Sequence, residues 1–351
     1  MRLGPDEREA YLSKRRSEAQ NTAQDNAKDV SWKLNLLSKT HENMLDYEKN
    51  NSALAYSIKT GQDLTVVPTN AILSGNPEAI TALTKNIKSI HANNILNGTV
   101  GSLNPFSTQQ QSELKQFWGK AKPSDKLGLL TSLYKSSAGN ANASRDMINS
   151  IAGENGAYRL SASLNNRGLQ DIAGQIVTGQ DLIEKGLVKV DESGLTKHTE
   201  AYLAGITSPG KPDFQIYLDS IKANYAYLVQ KSEKVTDSKG NILNKTIDEE
   251  LFNKAAKNVT GGKFTSGGFF GSKSVVLRPH TVGEKSFREQ LESFNSRNAR
   301  NYGGSDKDFF LDLPLEQDPK NPYVYYFKNG TKYIMDATDK KRQKRLAFTV
   351  R

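Results

Sequence analysis

The stretch FQIYLDSIKANYAYLV, residues 214–229, carries the clearest structural signal in the sequence. Its apolar side chains recur at helical spacing and fall on one stripe: Phe214, Tyr217, Leu218, Ile221, Tyr225 and Leu228. Aromatic side chains at this spacing are more often core residues than part of a ligand-binding box. The stretch therefore predicts a helix that buries one face inside a helical domain.

Helix signals continue toward the N-terminus and indicate a multi-helix domain over residues 61–260. Ser107 or Thr108 can cap a helix, with Gln110 or Gln111 three residues further on. In this capping-box pattern the two side chains satisfy the first backbone N–H groups of the helix.

Three further signals mark the start of this domain and the ends of helices within it. The glycine- and proline-bounded segment 61–68 predicts a break before the helices. The apolar positions between residues 169 and 177 predict a helix that closes at Gly179. Thr246 to Glu249 has the capping-box pattern and predicts another helix start.

The N-terminal segment, residues 1–60, predicts a long helical arm. It contains no proline or glycine from residue 6 onward, and its apolar positions recur at mixed threes and fours, with a break expected near residues 49–51. The apolar stripe is thin, and a thin stripe on a long helix implies a partner chain or an extended arm.

The last segment, residues 261–351, changes toward glycine, aromatic residues and strand formers. Thr281 to Glu284 has the capping-box pattern of a short helix. Asn329-Gly330 lies between two β-rich arms, which is the strongest short hairpin signal, and residues 345–351 can add a third strand. The predicted fold is mainly α, with a long N-terminal helix, an irregular multi-helix middle and a small C-terminal α+β module containing a β-hairpin.

Composition argues against several kinds of site. The chain has no cysteine, and no pair of its four histidines, His41, His91, His198 and His280, has metal-ligand spacing. No stretch approaches the roughly 18 apolar residues that a transmembrane helix needs. We therefore expect a soluble chain made in the cytoplasm, with no metal and no cofactor.

The sequence GGFFGSKS, residues 267–274, lies close to a phosphate-binding loop. Such a loop needs a strand before it and a helix that begins at the Lys-Ser pair. Here a helical pattern precedes the loop, Ser272 stands where glycine is required, and the β-type run VVLRP follows. The context favours a surface loop over a nucleotide site.

No catalytic residue is predicted. A Gly-x-Ser-x-Gly nucleophile elbow is absent from the sequence. Glu292 lies in LESFNSRN, which resembles the start of a lytic transglycosylase signature, but the glycine-rich element that should follow is missing.

The basic character of the chain is concentrated near its C-terminus. Residues 261–351 hold seventeen Lys and Arg against ten Asp and Glu, a net charge of +7 out of +10 for the whole chain. The densest run is the best nucleic-acid-binding candidate: Lys340, Lys341, Arg342, Lys344 and Arg345. Four neighbouring tyrosines could stack on bases, although strand alternation must turn some toward the core: Tyr323, Tyr325, Tyr326 and Tyr333. A solvated basic turn is the simpler alternative.

The order of elements over residues 107–351 resembles that of internal, or ejection, proteins of tailed phages and prophages. The resemblance rests on PFSTQQQSELKQFWGKAKPSDKLGLLTSLYKSSAGN, ASRDMINSIAG, LNNRGLQDIAGQIVTGQDLIEKG and TIDEELFNKAAKNVTGG, together with the helix over residues 213–230. In similar proteins this helical region often accompanies a lytic transglycosylase domain within a larger polypeptide. No catalytic motif is among these segments.

The resemblance implies a structural role as a virion protein without enzymatic activity. Such a protein assembles with itself and sibling virion proteins, contacts double-stranded DNA, and meets the host envelope after delivery with the genome. Two alternatives stay open: a component of a peptidoglycan-degrading virion enzyme, and a scaffold or tail-length protein.

Overall fold

The structure, a computed structural model, describes residues 4–22, 37–39, 51–99, 101–232, 242–244, 246–266, 273–302, 308–318, 321–339, 341 and 343–351. It confirms the predicted fold class, because the described chain is mainly helical and ends in a small antiparallel sheet. The chain divides into two compact units, residues 1–169 and 170–351.

The described residues of the first unit are mainly helical. They are α1 (Pro5–Thr22), α2 (Ser52–Thr60), α3 (Thr69–Leu73), α4 (Pro77–Leu96), α5 (Thr108–Lys120), α6 (Pro123–Ser136), α7 (Ala141–Ala152) and α8 (Gly156–Asn166). Of the predicted N-terminal arm, α1, residues 37–39 and α2 are helical, while residues 23–36 and 40–50 lie outside the described residues.

The core of the first unit is formed where α4 to α8 bury their apolar faces. The edge of the Trp118 ring packs on the Tyr158 ring, with centroids 4.8 Å apart, and Tyr158 is fully buried. At the start of α5, Ser107 Oγ accepts the backbone N–H of Gln110, whose side chain accepts the backbone N–H of Ser107. The first of the two predicted capping pairs is thus confirmed.

The second unit begins with four helices and a small parallel strand pair. The helices are α9 (Gln170–Glu184), α10 (Glu192–Leu203), α11 (Pro212–Lys231) and α12 (Glu249–Thr260). Strand β1 (Val188–Val190) pairs with β2 (Ile242–Asn244), a pairing that the sequence pattern did not predict. The predicted central helix is confirmed as α11, and its Phe214, Ile221 and Tyr225 side chains are buried.

Gly179 does not end a helix, as its sequence position suggested, but lies inside α9. A Cβ atom at this position would lie 1.8 Å from the carbonyl oxygen of Ala223 on α11. Glycine is therefore needed here because two helix backbones cross in near contact, a requirement that local sequence cannot distinguish from a helix end.

Two other predicted helix starts are shifted. Helix α12 is capped by Asp248, whose Oδ1 accepts the backbone N–H of Leu251, and Thr246 precedes this cap. Helix α13 (Glu284–Asn298) follows Gly283, which provides no side-chain cap. Both predictions were therefore wrong about the capping residue. Asp248, closer to the helix than Thr246, caps α12, and no side chain caps α13.

The C-terminal part of the second unit packs α13 against short antiparallel strands. The remaining elements are β3 (Lys263–Ser266), β4 (Ser274–Leu277), a 3-10 turn (Ala299–Tyr302), β5 (Leu315–Gln317), β6 (Val324–Asn329), β7 (Lys332–Tyr333) and β8 (Ala347–Thr349). β3 pairs with β4, and β6 pairs with β5, β7 and β8.

The predicted hairpin and third strand are both confirmed. Asn329 pairs with Lys332, so Gly330 and Thr331 form the turn between β6 and β7. Gly330 adopts a φ of 59°, a left-handed conformation that glycine accepts at little cost. β8 then adds beside β6, as residues 345–351 were expected to do.

A buried arginine and a histidine connect β3, the segment after β4 and the end of α12. The Arg278 side chain is only 6% exposed, and it donates hydrogen bonds to the carbonyl oxygens of Lys263 and Val282. His280 Nε2 lies 2.8 Å from the carbonyl oxygen of Asn258, near the C-terminus of α12. These contacts tie the helices of the second unit to its sheet.

Candidate nucleic-acid interface

The solvent side of β6 builds the centre of the basic surface. Along this strand the side chains alternate, so that Tyr325 and Phe327 are buried while Tyr326 and Lys328 lie on the outer face. The Tyr325 hydroxyl donates to the carbonyl oxygen of Leu277, 2.7 Å away. Burial raises the pKa of Tyr325, so this phenol is a neutral core group and cannot stack on a base.

Arg345 lies on the tyrosines of the outer face. Its Cζ atom is 3.8 Å from the centroid of the Tyr333 ring and 5.5 Å from that of Tyr326. A guanidinium at this distance from an aromatic face makes a favourable cation–π contact. One face of Tyr333 is therefore covered by Arg345 instead of being open to a base.

Two carboxylates hold the tyrosines in place. The Tyr333 hydroxyl donates to Glu316 Oε1 at 2.6 Å, and the Tyr326 hydroxyl donates to Asp318 Oδ2 at 2.8 Å. These hydrogen bonds to the carboxylates raise the pKa of each tyrosine, because each phenol acts as a donor in its neutral form.

Glu316 also pairs with Lys328 across the β5–β6 ladder. Partial burial alone would raise the pKa of Glu316, but hydrogen bonds from Lys328 and Tyr333, with the charges of Lys328 and Arg345, hold it below its usual value. Two cations and two carboxylates thus occupy the outer face of the sheet together. The formal charges of this cluster, two positive and two negative, cancel.

The turn before β8 presents lysines that lie beyond this compensated cluster. The Asp339 carboxylate accepts the backbone N–H groups of Lys341, Gln343 and Lys344 at 2.8 to 3.2 Å. These backbone hydrogen bonds, that of Lys344 first, lower the pKa of Asp339. One carboxylate therefore holds the backbone of the described residues of this turn, and the Lys341 and Lys344 side chains are exposed.

The five predicted basic residues thus have different environments. Arg345 is stacked and compensated, Lys341 and Lys344 project from the turn, and Lys340 and Arg342 lie outside the described residues. Asp339, which organises the turn, was not identified from the sequence. Its signal was its position at the head of the basic run, since Asp commonly accepts backbone N–H groups a few residues later.

The other sequence candidates do not form a site with this surface. Strand β4 begins at Ser274, so no helix begins at the Lys273-Ser274 pair as a phosphate-binding loop requires, and residues 267–272 lie outside the described residues. Glu292 lies on the exposed face of α13, and its backbone carbonyl accepts a hydrogen bond from Ser296 Oγ.

Of the described histidines, His198 serves local packing. His198 Nδ1 lies 2.8 Å from the carbonyl oxygen of Gly194, and its ring packs against Phe252. His91 is exposed on α4, and His41 lies outside the described residues. Within the described ranges, no three His, Asp or Glu side chains are grouped so that they could hold a metal ion. None of the helices in those ranges is long and apolar enough to cross a bilayer.

In comparisons with known proteins, no protein-family model, no curated protein and no solved structure matches the chain.

Proposed function

We propose that this chain is a non-enzymatic internal, or ejection, protein of a tailed-phage particle, which assembles with itself and sibling virion proteins and contacts double-stranded DNA. The order of elements over residues 107–351, which resembles that of such proteins, supports the virion class. The exposed lysines of the basic turn support the DNA contact.

The geometry of that turn suits a phosphate backbone better than a base. Lys341 and Lys344 project from a turn fixed by Asp339, and exposed lysines contact phosphates without reading sequence. Tyr326 and Tyr333 are engaged by Arg345, Glu316 and Asp318, so these two rings offer little stacking surface. The proposed contact is therefore electrostatic and independent of sequence.

A salt titration of DNA binding tests this contact. The double variant Lys341→Gln/Lys344→Gln should bind duplex DNA more weakly, with the slope of log K against log salt less steep by about 2 if both lysines contact phosphates. The control Lys115→Gln/Lys120→Gln removes the same charge from exposed positions on α5. Equal loss in both variants would mean that only net charge matters and would defeat the proposed interface.

The virion assignment is tested on purified particles. Mass spectrometry should find the protein in DNA-filled particles and show its loss after triggered DNA release. Retention in emptied particles would argue against ejection, and absence from both would reject the virion assignment. The enzyme alternative predicts clearing on peptidoglycan zymograms that disappears in Glu292→Gln.

A further inference from the structure

A short connection in the first unit has the hydrogen-bonding pattern of a sheet edge. Residues 62–68 join α2 to α3 without helix or turn. The buried side chain of Asn86, on α4, accepts the backbone N–H of Thr65 and donates to its carbonyl oxygen, at 3.1 and 2.9 Å. One amide thus pairs with Thr65 as a neighbouring β-strand would.

The carbonyl of Val67, two residues further on, is also held by a side-chain amide. Gln110, at the start of α5, donates to the carbonyl oxygen of Val67 at 2.7 Å. In an extended chain, the backbone groups of successive residues point to opposite sides. Because the N–H and C=O of Thr65 and the C=O of Val67 are held inward, an extended chain directs the N–H and C=O groups of Leu64 and Val66 outward. Neither residue makes a hydrogen bond to any part of the chain that the structure describes.

This unpaired edge borders a groove of about 680 Å³ between α2 and the start of α5. Leu54, 40% exposed, and Phe106 supply apolar lining, and Val66 at its rim is 85% exposed. Such a groove can accept the alternate side chains of an added strand, while the edge supplies backbone hydrogen bonds.

The charge of the groove indicates what kind of segment fits. Its only charged lining residues in the described chain are Asp63 and Glu113, both acidic, within a protein of net charge +10. Hydrogen bonds from Thr69 and Gln109 lower the pKa of Glu113, so this carboxylate is charged at neutral pH. The groove therefore complements apolar side chains flanked by cations.

We propose that residues 64–66 form an edge to which an extended peptide segment of a partner protein adds as a β-strand. Its apolar side chains enter the groove, and its Lys or Arg side chains approach Asp63 and Glu113. This inference does not depend on the proposed function, because it rests on the geometry of the first unit alone.

The test uses the full chain and a pool of fluorescent peptides of the pattern Lys-φ-Thr-φ-Thr-φ-Lys, where φ is Val, Ile, Leu or Phe. Binding is followed by anisotropy. Val66→Pro removes one outward N–H donor and should weaken binding at least about tenfold, the effect of losing about 1.4 kcal/mol. Val66→Ala keeps that donor and should weaken binding less, by about threefold.

Two N-methylated peptide series supply the decisive comparison. In the first series, N-methyl groups on alternate residues block the peptide N–H groups that face the edge. In the second series the methylated positions are shifted by one residue, so that they block the N–H groups that face solvent. We expect about a tenfold difference between the two series, which apolar or ionic attraction alone would not produce. Equal affinities, or no binding from the pool at about millimolar peptide, would overturn the proposal.

Discussion

Arg345 is a basic residue whose contacts help to hold the outer face of the sheet together. Its guanidinium covers Tyr333, whose hydroxyl is held by Glu316, and Glu316 also pairs with Lys328. These groups come from strands β5, β6 and β7 and from the turn before β8. The cluster therefore fixes the outer face of the sheet, while Lys341 and Lys344 supply exposed charge.

Glu316 should make the stability of this cluster depend on pH. Its pKa in the folded protein lies below the ordinary 4.5. The stability that it contributes is therefore complete above its unfolded pKa and is lost as pH falls through the folded value. At pH 7, Glu316→Gln should lower the free energy of unfolding by about 0.5 kcal/mol, as expected of an exposed ion pair.

Urea denaturation at pH 7 and pH 3 measures this effect. The difference between the wild type and Glu316→Gln should shrink as the pH is lowered from 7 to 3, because the contribution of Glu316 is lost as its carboxylate takes up a proton. Glu292→Gln provides the control, since the Glu292 side chain makes no hydrogen bond or ion pair to the described residues. A difference for Glu316→Gln that stays constant with pH would contradict this account.

The close approach of α9 to α11 depends on the absence of a side chain at Gly179. At Gly179 a Cβ atom would meet the carbonyl of Ala223 at 1.8 Å and the backbone nitrogen of Tyr227 at 3.1 Å. Neither contact involves a flexible side-chain end that could move aside. The two helices can lie this close only because position 179 has no side chain.

Gly179→Ala should therefore separate the helices and lower the free energy of unfolding by about 3 kcal/mol, at the upper end of overpacking costs. Gly174→Ala is the matched control on the same helix, because a Cβ atom there meets nothing within 4 Å. Alanine is the better helix former, so the control should be neutral or stabilising by up to about 1 kcal/mol. Thermal and urea unfolding compare the two variants, and similar losses in both would refute a specific close approach.

The helices and strands of the second unit depend on each other, although the sequence favoured a boundary at residue 261. Lys263 Nζ lies 4.3 Å from the centroid of the Tyr202 ring on α10, and His280 contacts the end of α12. Residues 170–351 form one compact unit in which these contacts are internal.

A fragment of residues 170–351 should accordingly fold by itself with a single cooperative urea transition. A fragment of residues 261–351 should be much less stable, since it loses the partners of Lys263 and His280. Near-ultraviolet circular dichroism and urea titration report on both fragments. An equally stable shorter fragment would instead favour an independent C-terminal module.

Local sequence patterns determined much of the secondary structure of this protein. The stripe over residues 214–229, the Ser107–Gln110 cap and the Asn329-Gly330 hairpin were all predictable, because each depends on residues within a few positions of one another. The concentration of basic charge after residue 261 was also visible in the sequence.

Only the tertiary structure decided which of these elements meet. It placed Gly179 against α11, set Arg345 on Tyr333 beside Glu316, and paired Thr65 with Asn86. Periodicity shows which face of an element is buried but not which partner buries it. Contacts between residues distant in the sequence, including those of the basic surface and the unpaired edge, follow from packing alone.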